Sequence, residues 1–207
     1  MNPRVGLNLI LYDRTCRGPL GFGLSSAWRG GSHLYSALGR ADGSYGASSW
    51  NDALAWLGSY RPAQPIAQVQ YWGHGKWGRL YLAGEALDRA ALRPAHPHHR
   101  ALERWRERMT SDALIWFRTC ETLGAYSGHD FARSWTDFFG CALAGHTFII
   151  GYWQSGLHRL LPGQAPGWRS DEGLIEGSPE APTRAAWSRR ASPNTVSCLS
   201  NRVPAGW

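Results

Sequence analysis

The stretch QVQYWGHGKWGRLYL, residues 68–82, begins as an apolar, β-prone run and stops abruptly at His74, which stands between two glycines. A second stretch, DALIWFRTCETLGA at residues 112–125, carries another apolar run and delivers Cys120 just past its end. Parallel strands of an α/β sheet present the residues that follow them along one carboxyl edge, where sites form. The two runs therefore predict that a histidine and a cysteine meet at one sheet edge, as a thiol nucleophile and its base require.

The rest of the chain alternates between strand-like and helix-like segments. Buried strands are predicted at residues 5–12, 66–72, 113–117 and 142–151, and helices at residues 32–39, 49–60, 85–92, 99–109 and 128–139. A strand, a helix and a second strand in succession predict a parallel pair with a right-handed crossover. The fold class is therefore α/β, with a three-layer αβα sandwich around a mostly parallel central sheet.

Capping signals mark the ends of two of these helices. Ser49 with Asp52 three residues on predicts the N-terminus of the second helix. Ser127 and Asp130 predict the cap of the last helix, and Gly140 predicts its end. The Gly-rich residues 16–32 read as a long surface loop, and the alternating residues 78–84 as a short antiparallel excursion.

Size and composition favour one domain. A chain of 207 residues, 43% of them hydrophobic, can bury one core but not a second of comparable size. We expect a single domain over residues 1–207, with an αβα core at 1–151 and a loop-rich, Gly/Pro/Ser-rich C-terminal segment at 152–207 that wraps the sheet. The apolar run at 5–12 is too short for a membrane span or a secretory core, so we expect a soluble, cytoplasmic protein without a membrane partner.

The charge does not identify a partner. The formal net charge is +7, carried almost wholly by arginine. Such a charge permits attraction to nucleic acid, to an acidic membrane surface or to an acidic polypeptide. The basic residues are scattered without a run of five or six, so a nucleic-acid partner is not expected.

Cysteine and histidine spacing does not predict a metal site, and no cofactor is expected. The cysteines form no CxxC pair and suggest neither a zinc ribbon nor a disulfide scaffold; they are Cys16, Cys120, Cys141 and Cys198. Cys141 reads as a small buried core residue. His96, His98 and His99 invite a zinc site, but prolines interrupt them and no further ligand is suitably spaced. His146, inside an apolar run, reads as a hydrogen-bonded core residue, with a catalytic role as the alternative.

A hydrophobic block ending in His-Gly, followed by one ending in Cys, resembles the caspase-type cysteine peptidases, which include caspases, metacaspases, separases, gingipains and bacterial CHAT-type domains. The separation of the two residues is close to the roughly 50 residues of the caspase signature. The two residues before the cysteine differ from the known signatures. This chain has Arg118-Thr119-Cys120, where caspases have Gln-Ala-Cys and metacaspases have Asp-Ser-Cys. Residues 124–147 are similar to the turn, helix and strand that follow the cysteine in bacterial caspase-like domains. The resemblance covers about residues 5–151.

The resemblance implies a cysteine endopeptidase that hydrolyses a protein or peptide substrate with a Cys120–His74 dyad, and no third member is required. Gly75 and Cys120 would supply the N–H groups of the oxyanion hole. A positively charged His74, and Arg118 if it turns toward the site, would lower the pKa of Cys120. Such domains often serve bacterial defence or regulated proteolysis, and the resemblance leaves room for a regulatory partner protein.

Substrate specificity is expected to depend on Arg118. In the resembling families, the residue two before the cysteine lines the pocket for the substrate residue before the scissile bond. A buried guanidinium requires a carboxylate, so one expectation is an acidic substrate residue, with Arg14 or Arg29 assisting. Glu121 could instead pair with Arg118 and neutralise it. Further substrate-side candidates are Trp28, Trp153, Gln154 and His158.

Two other functions remain open at this point. A catalytically inactive caspase-like domain would be an interaction module whose groove is lined by some of the twelve tryptophans. A basic nucleic-acid binder is the third reading, and it would bind with a steep salt dependence.

Overall fold

The computed structural model describes residues 6–18, 23–204 and 206–207. In chain order its strands are β1 (Leu7–Asp13), β2 (Gly43–Ala47), β3 (Ile66–Trp72), β4 (His74–Lys76), β5 (Arg79–Leu82), β6 (Glu85–Leu87), β7 (Met109–Arg118), β8 (Ala142–His146), β9 (Trp153–Gln154), β10 (Leu157–Leu160), β11 (Leu174–Gly177), β12 (Pro182–Ala185) and β13 (Val196–Ser197). Its helices are α1 (Leu24–Ala37), α2 (Trp50–Ser59), α3 (His99–Arg106) and α4 (Ala125–Phe139), and a 3-10 turn spans Arg89–Leu92.

The centre of the molecule is a six-stranded sheet in the order β10-β8-β7-β3-β1-β2. Its strands are parallel except for β10, which pairs antiparallel with β8. The predicted parallel pairing of the first strand with the strand at 66–72 is confirmed. Val5, at the start of the predicted first strand, lies outside the described residues. The edge strand β2 was not predicted, because its sequence GSYGA carries little β propensity.

Side chains alternate across the sheet and divide the core between its two faces. Leu9 belongs to the large cluster that α2, α3 and α4 cover, whereas its neighbour Ile10 packs with Tyr35 of α1. On the same face as Ile10, Trp116 packs with Val196 of the C-terminal segment. The protein is thus α/β with a mostly parallel central sheet, an arrangement compatible with a three-layer sandwich.

Two of the three predicted helix ends are confirmed and one is wrong. The Ser49 hydroxyl accepts a hydrogen bond from the Asp52 N–H at 3.1 Å and caps α2, as the sequence predicted. Gly140, with a φ of 64°, ends α4 as expected. The cap predicted at Ser127 is wrong, because α4 begins at Ala125 directly after the turn that follows β7, with Gly124 at its N-cap.

The Gly-rich region after β1 is more regular than its sequence suggests. Residues 24–32 of the predicted loop are helical, because α1 already begins at Leu24, and the short helix predicted at 32–39 is the second half of α1. Residues 19–22 of that loop lie outside the described residues. The pair Gly30-Gly31 disfavours a helix on propensity alone. Packing overrides that preference, because a Cβ on Gly31 would lie only 3.0 Å from the ring of Trp72.

The antiparallel excursion after β3 is confirmed as the sheet β4-β5-β6. The helix predicted at 85–92 is wrong, because Glu85–Leu87 forms β6 and only a 3-10 turn follows. Asp88 caps that turn by accepting a hydrogen bond from the Ala90 N–H at 2.7 Å. The helix predicted at 99–109 ends at Arg106, and Met109 already belongs to β7.

The C-terminal segment both covers the sheet and extends it. Its strand β10 forms the antiparallel edge of the central sheet. Two small pairs, β11 with β12 and β9 with β13, lie in the rest of the segment. Within the described residues, no helix has both the length and the apolar character that a membrane crossing requires.

Substitution of the two adjacent glycines of α1 is expected to have different effects. A Cβ on Gly30 meets no atom within 4 Å, so Gly30→Ala should raise the free energy of unfolding by about 0.5–1 kcal/mol through helix propensity. Gly31→Ala should not raise the free energy of unfolding, because its new methyl group would press against the Trp72 ring and offset the gain in helix propensity. Urea unfolding of both variants measures the difference, and equal effects would contradict this packing.

Candidate active site

His74 and Cys120 lie at equivalent positions beyond two neighbouring strands. Trp72 of β3 is the register partner of Arg118 of β7, and each candidate follows its strand end by one intervening residue. Neighbouring strands are about 4.8 Å apart. Both side chains line one cavity of about 720 Å³. The structure thus brings the predicted histidine and cysteine to a single site.

The loops that carry the two residues are in direct contact at Gly75. A Cβ on Gly75 would lie 2.0 Å from the Thr122 hydroxyl oxygen and 2.7 Å from the Thr119 side chain. The Thr119 and Thr122 hydroxyl oxygens are 2.6 Å apart, and Thr122 donates to the Cys120 carbonyl at 3.0 Å. The Cys120 carbonyl is therefore held within its own turn. A glycine at position 75 lets the histidine loop approach that turn.

The tip of the β4-β5 hairpin is bonded to the same turn. Trp77 and Gly78 both have positive φ, 36° and 78°, as a two-residue type I′ hairpin requires. Their N–H groups donate to the carbonyls of Glu121 at 3.1 Å and Thr122 at 2.8 Å. In such a hairpin the Gly75–Leu80 pair is the non-hydrogen-bonded one, so the Gly75 N–H is directed away from β5.

The Cys120 thiol is protonated at neutral pH. Burial raises the pKa of Cys120 to about 11, the nearby Glu121 carboxylate adds to the rise, and a contact with the Ile150 carbonyl opposes it. That contact is long, with 3.9 Å between Sγ and the oxygen. The expectation that His74 and Arg118 lower the pKa of Cys120 is therefore wrong, because the loss of water around the sulfur raises it and neither residue is among the groups that oppose the rise.

Glu121 does not neutralise Arg118. Among the described residues, no ion pair joins these two side chains. Glu121 is only 7% exposed, and burial raises its pKa to about 7, with Lys76 opposing the rise. Its backbone has a φ of 30°, a left-handed value that is uncommon outside glycine. The alternative pairing considered from the sequence is therefore not formed.

The imidazole of His74 contacts a cysteine that the sequence did not single out. Cys16 Sγ lies 3.2 Å from His74 Nε2. The Trp28 ring packs edge-on against the imidazole, with 5.8 Å between the ring centroids and an interplanar angle of 75°. His74 is otherwise exposed to solvent and faces the cavity.

Arg118 forms the floor of the cavity and is 5% exposed. Gln154 Oε1 accepts from both Nε, at 3.0 Å, and Nη2, at 2.7 Å. The Tyr35 hydroxyl oxygen accepts from Nη1 at 2.7 Å. The carbonyls of Cys198 and Ser200 accept from Nη2 at 2.8 Å and from Nη1 at 3.0 Å. The donors of the guanidinium are thus satisfied by neutral groups.

Aromatic rings surround this buried cation. The Arg118 guanidinium carbon lies 4.5 Å from the ring centroid of Trp116, 5.6 Å from that of Trp72 and 5.9 Å from that of Tyr35. Burial lowers the pKa of Arg118, but an arginine remains charged at neutral pH. Cation–π attraction and hydrogen bonds therefore stabilise a positive charge that, among the described residues, has no carboxylate partner.

The rim of the cavity is apolar and exposed. Large hydrophobic side chains at least 46% exposed stand around it; they are Leu24, Tyr152, Trp187 and Leu199. Trp28, Ile149 and Ile150 line the walls below. An apolar surface that leads to a buried cation suits a ligand that is both hydrophobic and negatively charged.

The other predicted substrate residues lie in different places. Trp28 and Gln154 line the cavity, whereas Arg14, Arg29 and Trp153 lie outside its lining. Arg14 acts electrostatically on Asp52 at the start of α2. Trp153 packs against Tyr152 with 5.0 Å between the ring centroids. His158 is buried, bonded to Glu172 at 2.7 Å.

His146, His98 and Cys141 lie away from the cavity and are buried in the protein. His146 is fully buried with Nδ1 3.1 Å from the Ser155 carbonyl, which confirms its core position, and burial lowers its pKa to about 3. Cys141 is buried as predicted, with its pKa raised to about 12. His98 contacts Glu85 at 2.8 Å. No group of three or more potential metal ligands occurs in the part of the chain that the structure describes.

Sequence reasoning missed Cys16, Tyr35 and Trp187. Cys16 follows shortly after β1, which pairs with β3, so the sheet-edge argument applied to His74 would have selected it. Tyr35 lay in a region predicted to be a short helix and carried no further signal. Trp187 comes from an irregular segment, and nothing in its surroundings in the sequence marks it.

Comparison with known proteins does not identify relatives. No protein family matches the chain, and no curated protein matches it.

The raised pKa of Cys120 predicts a pH-dependent reactivity. Only the thiolate reacts with iodoacetamide, so alkylation of Cys120 should accelerate about tenfold per pH unit from about pH 7 to pH 10, while the pH stays below the pKa of about 11. Mass spectrometry of peptides gives the rate at each cysteine. Buried Cys141 serves as the internal control and should stay slowest. A rate at Cys120 that no longer rises above neutral pH would mean that the thiolate is already formed.

Proposed function

We propose that this chain is a cysteine endopeptidase of the caspase-like type, which hydrolyses peptide bonds in a protein substrate with Cys120 as nucleophile and His74 as base. The observation that carries the proposal is that both residues follow adjacent parallel strands and line one cavity. The fold supports it as well, since a mostly parallel sheet with helices on both faces is compatible with a caspase-like domain. A role in bacterial defence or regulated proteolysis rests on the sequence resemblance alone.

The protonated state of Cys120 determines the order of events. Because its pKa is about 11, His74 must remove the thiol proton as the sulfur approaches the substrate carbonyl. The new C–S bond gives a tetrahedral oxyanion. Its collapse breaks the peptide C–N bond, and His74 returns the proton to the leaving amine. Water, deprotonated by His74, then hydrolyses the thioester and restores the Cys120 thiol.

Two backbone N–H groups are suited to stabilise the oxyanion. The type I′ hairpin directs the Gly75 N–H away from β5, and the Cys120 carbonyl is held back by Thr122. Among the described residues, no backbone hydrogen bond outside the strand ladders uses the N–H of either Gly75 or Cys120. Each such donor is worth about 10²–10³ in rate.

Arg118 favours an acidic substrate residue before the scissile bond. A buried cation without a carboxylate lowers the free energy of an anion that enters the cavity. The Gln154 amide oxygen occupies the Nε and Nη2 edge, which is the edge that a carboxylate would bind in bidentate fashion. Gln154 also lines the cavity, so its side chain is the neutral group that a substrate carboxylate would replace.

The catalytic assignment is tested by peptide hydrolysis. Cys120→Ala should reduce kcat/KM by at least about 10³-fold, because no other group in the proposed mechanism attacks the carbonyl. Cys141→Ala is the matched control, since it removes a buried thiol away from the cavity. Fluorogenic peptides and whole-protein substrates, with cleavage sites mapped by mass spectrometry, provide the assay. Equal activity of Cys120→Ala and wild type would exclude Cys120 as the nucleophile.

Specificity is tested at Arg118 and Gln154. Peptides with Asp, Glu, Ala, Arg or Lys before the cleaved bond should be cut best at the acidic residues. Gln154→Ala should increase the preference for acidic over neutral residues, because it frees the bidentate edge, and Arg118→Gln should abolish it. Thermal unfolding of both variants controls for damage to the core. Robust cleavage after arginine or lysine would contradict the proposal.

The second candidate is a non-enzymatic interaction module, and the exposed apolar rim favours it. Tyr152 and Trp187 are 59% and 66% exposed beside the cavity, as expected for a surface that binds another protein. Such a module would bind its partner equally well in wild type and Cys120→Ala, and neither would cleave it. The hydrolysis assay above therefore separates the two functions.

A further inference from the structure

We propose that Cys16 is a positioning residue that orients the His74 imidazole for catalysis. This inference rests on the proposed peptidase function and adds a third member to its dyad. The observation that carries it is the distance of 3.2 Å between Cys16 Sγ and His74 Nε2. Among the described residues, Cys16 is the one that forms a hydrogen bond with the His74 ring.

The backbone is anchored at Cys16 itself and at the preceding residue, Thr15. The Cys16 carbonyl accepts hydrogen bonds from the Ser25 N–H at 3.1 Å and from the Ser25 hydroxyl at 2.8 Å, which ties it to the first turn of α1. On the other side, the Asp13 carboxylate accepts from the Thr15 N–H at 2.7 Å and from its hydroxyl at 2.6 Å. The backbone that carries the thiol is therefore fixed between the end of β1 and the start of α1.

This anchored thiol assigns the two nitrogens of His74 to different tasks. Nε2 faces Cys16, so Nδ1 is the nitrogen left to take the proton of Cys120. In the neutral imidazole with Nδ1 as base, Nε2 carries the hydrogen and donates it to the Cys16 sulfur. A partner on one ring nitrogen fixes the tautomer and the orientation of the other. Trp28, packed edge-on against the ring, restricts its rotation further.

The geometry distinguishes positioning from nucleophilic attack by Cys16. Cys120 lines the cavity that would hold the substrate, whereas Cys16 does not belong to its lining. Gly75, whose N–H is a candidate oxyanion donor, packs against Thr119 and Thr122 of the turn that carries Cys120. Cys16 therefore stands behind the imidazole as seen from the substrate, where an orienting group belongs.

The kinetic test compares Cys16→Ala with Cys16→Ser. Cys16→Ala should lower kcat by about 10- to 100-fold, the usual cost of losing such a supporting partner, and change KM by less than about twofold. Cys16→Ser should recover most of kcat, because a hydroxyl oxygen also accepts from Nε2. Cys16 is partly exposed, and thermal unfolding verifies that both variants fold. Unchanged kcat in Cys16→Ala, or equal loss in both folded variants, would overturn the proposal.

A second measurement does not depend on peptidase activity. Nitrogen-15 NMR of the imidazole in the Cys120→Ala background reports which ring nitrogen of His74 carries the hydrogen. The Nε2–H tautomer should dominate with Cys16 present and should mix with the Nδ1–H tautomer in Cys16→Ala. An unaltered tautomer would contradict the positioning role even if the chain cleaves nothing. Conversely, hydrolysis that survives Cys120→Ala but is lost in Cys16→Ser would make Cys16 the nucleophile and overturn both proposals.

Discussion

The parallel register between β3 and β7 is the constraint on which the site depends. Because Trp72 pairs with Arg118, the residues just beyond both strands share one edge of the sheet. A slip by one residue would turn every side chain of a strand to the opposite face and separate the histidine from the cysteine. The buried apolar residues on both faces of these strands oppose such a slip. The core that stabilises the fold therefore also sets the relative positions of His74 and Cys120.

The same register buries a cation. Arg118 is the last residue of β7, and its side chain lies on the face of the sheet that α1 and the C-terminal segment cover. Burying a charge without an opposite charge is costly. Here Gln154, Tyr35 and main-chain carbonyls replace the lost water, and aromatic rings lie around the guanidinium. A protein that only needed a stable core would be served better by an apolar residue, which is why this arginine indicates function.

The sequence predicts the parts of the fold that depend on strong local patterns. The strands around Val69 and Ile115 were recognised because their apolar runs end sharply, and α2 because Ser49 caps it. From the strand ends alone, His74 and Cys120 were expected at one site. These predictions need only short-range information and the rule that parallel strands present their carboxyl ends at one edge of the sheet.

The failures have a different origin, because they depend on contacts between distant parts of the chain. Gly30 and Gly31 suggest a loop, but their helix is stabilised because Tyr35 packs against Ile10 and Trp72 of the sheet. The pKa of Cys120 depends on its burial and on a contact with the Ile150 carbonyl, neither of which the sequence near the cysteine reveals. Contacts of Cys16 with His74 and of Cys198 with Arg118 likewise join residues that are far apart in sequence.

The bonds from Cys198 and Ser200 to Arg118 have a consequence for biosynthesis. A ribosome synthesises the chain from its N-terminus, so His74 and Cys120 emerge before Cys198 and Ser200, whose carbonyls bind Arg118. Until those carbonyls arrive, Arg118 lacks two of its acceptors and the cavity lacks the lining that Cys198 and Leu199 supply. The cavity that His74 and Cys120 line is therefore completed only at the end of synthesis, when the last residues of the chain have folded against the sheet.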